Sequence, residues 1–217
     1  MTEKKNPDTA HGHEKETDHD GHAHDDDHGH HEHGHDHHEH GHDHHEHEHG
    51  HHEHDLKSVS VAIVTVSTSR SLDDDPAGDA IAEAFSHAGH SVATRELIGD
   101  KFDGIQQTVD RLVGRDDVDI VVTSGGTGVT PDDVTIEAIT PLFEKELPGF
   151  GELFRQLSFG EIGTRVVGTR ATGGIADGVP VFALPGSENA ARLGSHEVIV
   201  PEVSHLAGLA KRSEPDA

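Results

Sequence analysis

The amino-acid sequence predicts an α/β protein of three layers, an α/β/α sandwich in which helices cover both faces of a mostly parallel sheet. Two observations lead to this fold class. Short β-branched runs with little polar alternation are typical of strands that are buried on both faces. These runs alternate with stretches whose apolar residues recur at helical spacing, and a β-α-β-α-β order requires parallel strands joined by helical crossovers.

The first half of this pattern contains three strands and two helices. A strand is predicted over Ser58–Val66, and Pro76 fits the first turn of the following helix. That helix ends at Gly89, a favourable C-terminal cap, and Ile81, Ala84, Phe85 and Ala88 fall on one of its faces. Then come a strand over 91–98, a helix with the apolar stripe Phe102, Ile105, Val109 and Leu112, and a strand over 118–123.

The second half is predicted to complete the sheet and cover it. Arg165–Val167 and Val181–Leu184 read as strands. Two closing helices are predicted over 188–198 and 203–210, and Pro201 is expected to separate them because proline interrupts a helix interior. The predicted domain is single.

The composition divides the chain of 217 residues into parts. Residues 1–54 hold 21 of the 25 histidines and almost no large apolar side chains, so they cannot bury a core. We therefore expect a disordered, low-complexity tail over residues 1–55, a folded domain over 56–212 and a short C-terminal tail over 213–217.

Charge narrows the classes of function. The formal net charge is −26, and residues 55–217 alone contain 13 basic and 26 acidic side chains, with acidic runs such as 73–75 at loop positions. A nucleic-acid partner is not expected, because such proteins carry a basic face. The balance suits a high-salt cytoplasm, where ions screen the self-repulsion, or simply a moderately acidic protein.

We expect neither a targeting signal nor cysteine chemistry. The chain has no cysteine, so disulfides and cysteine-ligated metals are excluded. The segment from Met1 to Lys5 is not followed by the apolar stretch of a signal peptide, and no run approaches the length of a membrane span. We expect a cytoplasmic protein without a membrane partner.

The tail contains a seven-residue repeat, Gly-His-Asp-His-His-Glu-His, at 34–40 and again at 41–47. Closely spaced imidazoles among carboxylates suit zinc, nickel, copper or cobalt, which predicts several weak, exchangeable sites. The alternative is a solvated acidic tail without a metal function. Under either interpretation, the net charge of the tail should change from negative to positive below about pH 6.5, the usual histidine pKa. The candidate ligands in the repeat are His35, His37, His38, His40, His42, His44, His45 and His47.

The central motif is a glycine-rich loop over 123–135, which follows a buried strand. Ligands of open α/β sheets bind beyond the carboxyl ends of strands, and glycines let backbone amides approach an anion closely. The loop therefore suits a phosphate, although a structural tight turn is the alternative. No lysine follows Gly128, which excludes a Walker A loop, and Pro131 stands where a dinucleotide fingerprint needs glycine.

Together with further motifs, this loop resembles the MoaB/Mog family of molybdenum cofactor biosynthesis, in its MoaB branch. The resemblance extends over nearly all of residues 56–210. It is carried by spaced motifs at 123–128, 133–135, 148–152, 157–159, 161–164, 169–171, 184–187 and 199–206.

The resemblance implies an enzyme, a molybdopterin adenylyltransferase. Family members join AMP from MgATP to the terminal phosphate of molybdopterin and release pyrophosphate. Their two critical aspartates correspond to Asp100 and Asp133, and carboxylates that bind Mg²⁺ would help to neutralise phosphate charge. Both follow strands and are expected to converge on one site. As alternatives, Asp100 suits a turn and Asp133 a helix N-cap.

Substrate contacts are also implied by the resemblance. A phosphate is expected on the loop formed by Ser124, Gly125, Gly126, Thr127 and Gly128. Molybdopterin is expected near Ser158 and Thr169, and the turn formed by Pro185, Gly186 and Ser187 matches a substrate loop of the family. Ser158 and Ser187 equally fit helix caps.

Two departures from the family pattern keep other functions open. Asp132 stands where many active members have arginine, and Ser67-Thr68 replaces the usual Ser-Asp. A non-catalytic molybdopterin-binding scaffold, or a metal-handling protein acting through its tail, are therefore the alternatives. The family also implies a homotrimer or hexamer and a downstream MoeA-like partner that inserts the metal.

Overall fold

The computed structural model of the chain describes residues 55–211. Within this range, six strands form one sheet: β1 (Ser60–Val66), β2 (Ser91–Ile98), β3 (Ile120–Ser124), β4 (Lys145–Glu146), β5 (Thr172–Ala176) and β6 (Val179–Leu184). Their order across the sheet is β2-β1-β3-β6-β5-β4. The pairs β1–β2, β1–β3 and β3–β6 are parallel, whereas β5 and β4 are antiparallel additions. Four strands therefore present their carboxyl ends at one edge.

Helices cover both faces of this sheet: α1 (Pro76–His87), α2 (Phe102–Val113), α3 (Thr135–Ile139), α4 (Pro148–Ile162), α5 (Glu188–Gly194) and α6 (Val200–Ala210). Short 3-10 turns span Thr140–Leu142 and Gly163–Gly168, and a π turn spans Ser195–Ile199. Within residues 55–211, no helix combines the length and the apolar character needed to cross a membrane.

Alternating side chains of β1 divide the core into two halves. Val61 and Ile63 belong to the cluster formed with α1, α4 and α6, which includes Phe85, Phe154 and Ala207. Ala62 and Val64 belong to the cluster formed with α2 and α3, which includes Ile105, Val109 and Leu112. Successive strand residues point to opposite faces, so a continuous apolar strand needs helices on both sides. The three-layer, mostly parallel fold class is confirmed.

A tight hairpin joins β5 to β6. Its two loop residues, Asp177 and Gly178, have positive φ angles of 48° and 70°, as a two-residue hairpin turn requires. Sequence patterning missed β5 because it contains Gly173 and Gly174, which weaken a strand signal. The glycines are needed there, since a Cβ atom on Gly173 would lie 2.7 Å from the ring of Phe182.

Two predicted elements are wrong. Arg165–Val167 is not a strand but part of the 3-10 turn 163–168, and Val167 is 89% exposed. β-branched residues form strands when their side chains pack on a sheet, and this segment has no such surface. Pro201 does not separate two helices either: it lies in the first turn of α6, and the wider π turn before it links α5 and α6.

Removing a side chain from the core tests this arrangement. Leu112 is fully buried between α2 and the sheet, so Leu112→Ala should lower the free energy of unfolding by about 2–5 kcal/mol. The matched control is Leu72→Ala, whose side chain is 51% exposed and which should cost less than about 0.5 kcal/mol. Urea unfolding measures both, and equal losses would contradict the assigned burial.

Candidate functional site

A pocket of about 430 Å³ opens where β1, β3 and β6 end. Its walls are the glycine loop after β3, the loop after β1, the segment 168–170 and the Pro185-Gly186 turn after β6. Crevices beyond the carboxyl ends of parallel strands are the usual ligand sites of open α/β sheets. All five residues of the predicted phosphate loop, Ser124 to Gly128, line this pocket.

The backbone of the loop is fixed by positive φ angles and by hydrogen bonds. Gly125 and Gly126 have φ angles of 99° and 63°, and a Cβ atom on either would overlap Val66 O or Thr135 Oγ1 respectively. The Thr135 hydroxyl donates to Gly125 O at 2.8 Å, and the Thr135 amide donates to Gly126 O at 2.9 Å. Gly125 N donates to Leu184 O at 3.0 Å, which ties the loop to β6.

Two successive amides of the loop remain available as donors. Among residues 55–211, the N–H groups of Gly126 and Thr127 donate to no protein acceptor, although Thr127 is only 3% exposed. Backbone donors with positive-φ glycines beside them form concavities that bind anions. The arrangement can therefore accept a phosphate without a lysine in the loop.

Asp133 lies in this pocket and is held by its own turn. Its Oδ2 atom accepts the Thr130 hydroxyl at 2.7 Å and the Thr130 amide at 2.9 Å. These hydrogen bonds, with the Gly128 amide and the charge of Arg170, hold the pKa of Asp133 below its usual value against the opposing effect of burial. The helix N-cap alternative is wrong, because the residue that caps α3 is Val134.

Asp100 is placed differently. It follows β2, the outermost strand on its side, so β1 lies between it and the glycine loop. It reaches the same edge of the sheet but does not line the pocket. Within the described part of the chain, no group of three or more acidic or histidine side chains could hold a metal ion. The two predicted aspartates are thus not brought into one pocket.

A second pocket of about 980 Å³ adjoins the first, and both are lined by Thr169 and Pro185. Ser158 and Ser187 line the second pocket while also serving local structure. The Ser158 hydroxyl donates to Phe154 O at 2.7 Å, and Ser187 caps α5 by accepting the Ala190 amide at 3.3 Å. The cap alternative is confirmed for Ser187. Ser158 lies inside α4 and is not a cap.

Two basic side chains of the first pocket, Arg70 and Arg170, were not among the predicted site residues. Arg170 donates to Gly128 O at 2.9 Å and forms an ion pair with Glu137. Asp75, which reads as part of an exposed acidic run, is only 2% exposed and caps α1. The order Asp75-Pro76 before a helix is the signal that could have separated it from its exposed neighbours.

Fold and site together define an open α/β protein with a glycine-loop pocket at the carboxyl edge of its sheet. The model of the family described as a probable molybdopterin binding domain matches residues 62–205. Molybdenum cofactor biosynthesis protein B of Bacillus anthracis is 44% identical over 151 residues, which are 69% of this chain and 89% of the relative. The protein of that name from Escherichia coli (strain K12) is 40% identical over 143 residues, 66% of this chain and 84% of the relative.

Solved structures of related proteins have the same fold as this chain. A crystal structure of molybdenum cofactor biosynthesis protein B has a TM-score of 0.70 at 42% identity and covers 72% of this chain and 98% of that one. The tungsten cofactor synthesizing protein MoaB from Pyrococcus furiosus has a TM-score of 0.65 at 38% identity, with 72% and 99% covered. The chain belongs to the MoaB/Mog family of molybdenum cofactor biosynthesis proteins, in the branch of protein B.

A methyl group tests the conformation of the loop. Gly126→Ala should lower the free energy of unfolding by about 1–3 kcal/mol, because alanine is strained at positive φ and its Cβ would overlap Thr135. Gly160→Ala is the control, since Gly160 lies inside α4 with open space around it and should gain about 0.5–1 kcal/mol. Thermal unfolding of both variants measures the difference, and effects of the same sign would contradict the assigned loop.

Acid unfolding tests Asp133. Its pKa in the folded chain is below that in the unfolded chain, so ionised Asp133 stabilises the fold above about pH 4 and this stabilisation is lost as the pH falls through the folded pKa. Asp133→Asn should therefore be less stable than the wild type near neutral pH, and the gap should narrow towards about pH 3. Asp132→Asn, at an exposed neighbour, is the control; a gap that does not depend on pH would refute the assignment.

Proposed function

We propose that this chain acts in molybdenum cofactor biosynthesis by transferring AMP from MgATP to the terminal phosphate of molybdopterin. The products are adenylyl-molybdopterin and pyrophosphate. The observation that carries the proposal is the pair of adjoining pockets, of about 430 and 980 Å³, which share Thr169 and Pro185. A phosphate loop in one and a larger cavity beside it suit two substrates that meet end to end. Family membership supports molybdopterin as one of them.

In this proposal the smaller pocket holds phosphates and the larger one holds the pterin. Ser124 to Gly128 bind phosphate oxygens, with the unpaired amides of Gly126 and Thr127 as donors. Ser158 and Ser187 line the molybdopterin side, and Thr169, Pro185 and Gly186 lie where the two substrates meet. The hydrogen bonds that Ser158 and Ser187 make within their helices fix where their hydroxyl oxygens stand.

The chemical step is an in-line displacement at the α-phosphorus of ATP. An oxygen of the molybdopterin phosphate forms the new bond to that phosphorus, the bond to the bridging oxygen breaks, and pyrophosphate leaves with the electron pair. No covalent intermediate with the protein is needed. The contribution of the chain is to hold the two phosphate ends in line and to present fixed dipoles to the negative charge, so that little reorganisation accompanies the reaction.

The donor set of the site fits magnesium. Mg²⁺ prefers oxygen ligands and keeps several waters, so it needs only one or two carboxylates besides substrate phosphates. Asp133, whose lowered pKa favours the ionised form, suits such a ligand in the smaller pocket. Asp100, which follows β2 at the same edge of the sheet, is proposed as the second carboxylate. When bound, Mg²⁺ would neutralise charge on the nucleotide phosphates.

A second candidate function is a molybdopterin-binding scaffold without turnover. It is favoured by the position of Asp100, which does not line the pocket that contains Asp133. The replacement of the family's arginine by Asp132 is weaker support for the scaffold, because Asp132 is exposed and lines neither pocket. Its carboxylate therefore lies beside the phosphate loop and not in the pocket.

The remaining expectations stay predictions. They are a homotrimeric or hexameric assembly, a MoeA-like partner that inserts the metal, and binding of zinc, nickel, copper or cobalt by the histidine repeat. The repeat lies outside the described residues, and the predicted domain boundaries stay predictions. A metal-handling function of the tail is separable from catalysis, because a chain without residues 1–54 keeps both pockets.

Pyrophosphate release from MgATP in the presence of molybdopterin tests the proposal. The wild type should turn over, and Asp133→Ala and Asp100→Ala should each reduce kcat by more than about a hundredfold, because charge neutralisation in the transition state is lost. Asp103→Ala is the matched control, since this exposed aspartate on α2 lines neither pocket and should leave kcat unchanged. Deletion of residues 1–54 should also leave kcat unchanged.

The outcomes separate the candidate functions. A wild type that binds molybdopterin but releases no pyrophosphate would refute the transferase and favour the scaffold. Loss of activity in Asp133→Ala alone, with Asp100→Ala fully active, would remove Asp100 from the site. Far-ultraviolet circular dichroism of each variant distinguishes a lost reaction from a lost fold.

A further inference from the structure

Arg70 lines the smaller pocket with a guanidinium group whose N–H donors are not used in hydrogen bonds to the described residues. It stands in the loop after β1, and its side chain is 32% exposed. Of the described side chains that line this pocket, only Arg70 and Arg170 are basic, and Arg170 already donates to Gly128 O and pairs with Glu137. Within residues 55–211, the Arg70 guanidinium makes no hydrogen bond. Its five donors are therefore available to a ligand.

A buried carboxylate stands behind Arg70. Asp75 Oδ1 lies 3.8 Å from Arg70 Nη1, close enough for an ion pair but too far for a direct hydrogen bond. The other contacts of Asp75 are short: it accepts the Thr65 hydroxyl at 2.7 Å, the Gly78 amide at 3.0 Å and Arg95 Nη2 at 3.1 Å. These partners come from β1, α1 and β2, so three elements fix one carboxyl group.

Gly78 makes this arrangement possible. A Cβ atom at position 78 would overlap Asp75 Oδ2 and would lie 2.9 Å from Arg95 Nη2. Arg95 is in turn held by Asp79, at 2.7 Å from its Nη1 atom. A buried charge is costly unless it is paired and hydrogen-bonded, and Asp75 is both. The site thus contains a fixed negative charge with the Arg70 guanidinium on its remaining approachable side.

The fixed charge confines a cation next to a phosphate loop. Residues 55–217 carry twice as many acidic as basic side chains, so the surrounding chain does not attract a polyphosphate. An arginine held at the pocket supplies local positive charge and a planar set of donors that suits phosphate oxygens. Arg70 does not line the larger pocket, so its position favours the nucleotide over the pterin.

We infer that Arg70 binds the β- and γ-phosphates of ATP, the part that leaves as pyrophosphate, and that Asp75 is a positioning residue that holds Arg70 for this contact. The inference rests on the proposed transferase function for its substrate. Its ligand chemistry, a pyrophosphate group, can be tested with or without turnover.

Substitution of Arg70 tests the contact. Arg70→Ala should raise KM for MgATP about tenfold with kcat changed less than about threefold, because a charge-assisted contact to bound substrate is lost. Titration calorimetry with inorganic pyrophosphate should show a similar weakening, whereas binding of AMP, which lacks the outer phosphates, should be unchanged. Arg70→Lys should recover part of the affinity. Arg165→Ala, at an exposed arginine outside both pockets, is the control.

The direction in which substitution of Asp75 changes pyrophosphate affinity distinguishes a positioning role from simple electrostatics. Asp75→Asn removes a negative charge near the phosphates, so electrostatics alone would tighten pyrophosphate binding. If Asp75 acts by holding Arg70, binding should weaken instead, by about three- to tenfold. In the Arg70→Ala background the same substitution should cause no further loss of pyrophosphate affinity, because only the electrostatic effect of the removed charge remains, whereas a merely structural disturbance would add to the loss.

Each outcome bears on the inference separately from the proposed function. Wild-type affinity for pyrophosphate in Arg70→Ala would overturn the contact, even if the enzyme turns over. Tightened or unchanged binding in Asp75→Asn, or additive losses in the double variant, would overturn the positioning role. A wild type without turnover that binds pyrophosphate through Arg70 would support the inference while refuting the transferase. Circular dichroism and urea unfolding confirm that each variant is folded.

Discussion

The close approach of three backbone segments at the carboxyl edge of the sheet determines the rest of the site. Gly125 lies so near Val66 O, at the end of β1, that no side chain fits between them, and a Cβ on Gly186 after β6 would lie 3.0 Å from Gly125 Cα. Because β1, β3 and β6 end together, their loops form one pocket. Glycines at the contact leave backbone amides, and not side chains, at its base.

The acidity of the chain makes the position of each cation decisive. Arg170 is already bound to the loop itself, where it contacts Gly128 O and Glu137 on α3. Arg95 is already paired with Asp75 and Asp79. Among the described arginines of this region, Arg70 is therefore the one available to a ligand, and the carboxylate of Asp75 beside it is fixed by contacts with three elements. The same network therefore anchors α1 to the sheet and sets the electrostatics of the pocket, so stability and ligand binding draw on the same few residues.

The candidate site was predictable where its signal was local. The glycine loop could be read from the sequence because positive φ, a buried preceding strand and a conspicuous run of small residues coincide in one segment. Asp133 belongs to that segment and lies in the pocket. Asp100, Arg70 and Asp75 lie on other segments. Whether they meet the loop depends on strand order, and the order β2-β1-β3 places one strand between Asp100 and the loop.

The sequence by itself determined the fold class, the central strands and the helices α1 and α2, because each has a strong local period or cap. It did not determine β5, whose glycines accommodate the rings of Phe182 and Phe143, or the 3-10 turn at 163–168, whose valines lack a sheet to pack on. Only the tertiary structure decided which aspartate of the run 73–75 is buried. Burial depends on partners such as Thr65 and Arg95, which are distant in the sequence and are brought close by parallel strand pairing.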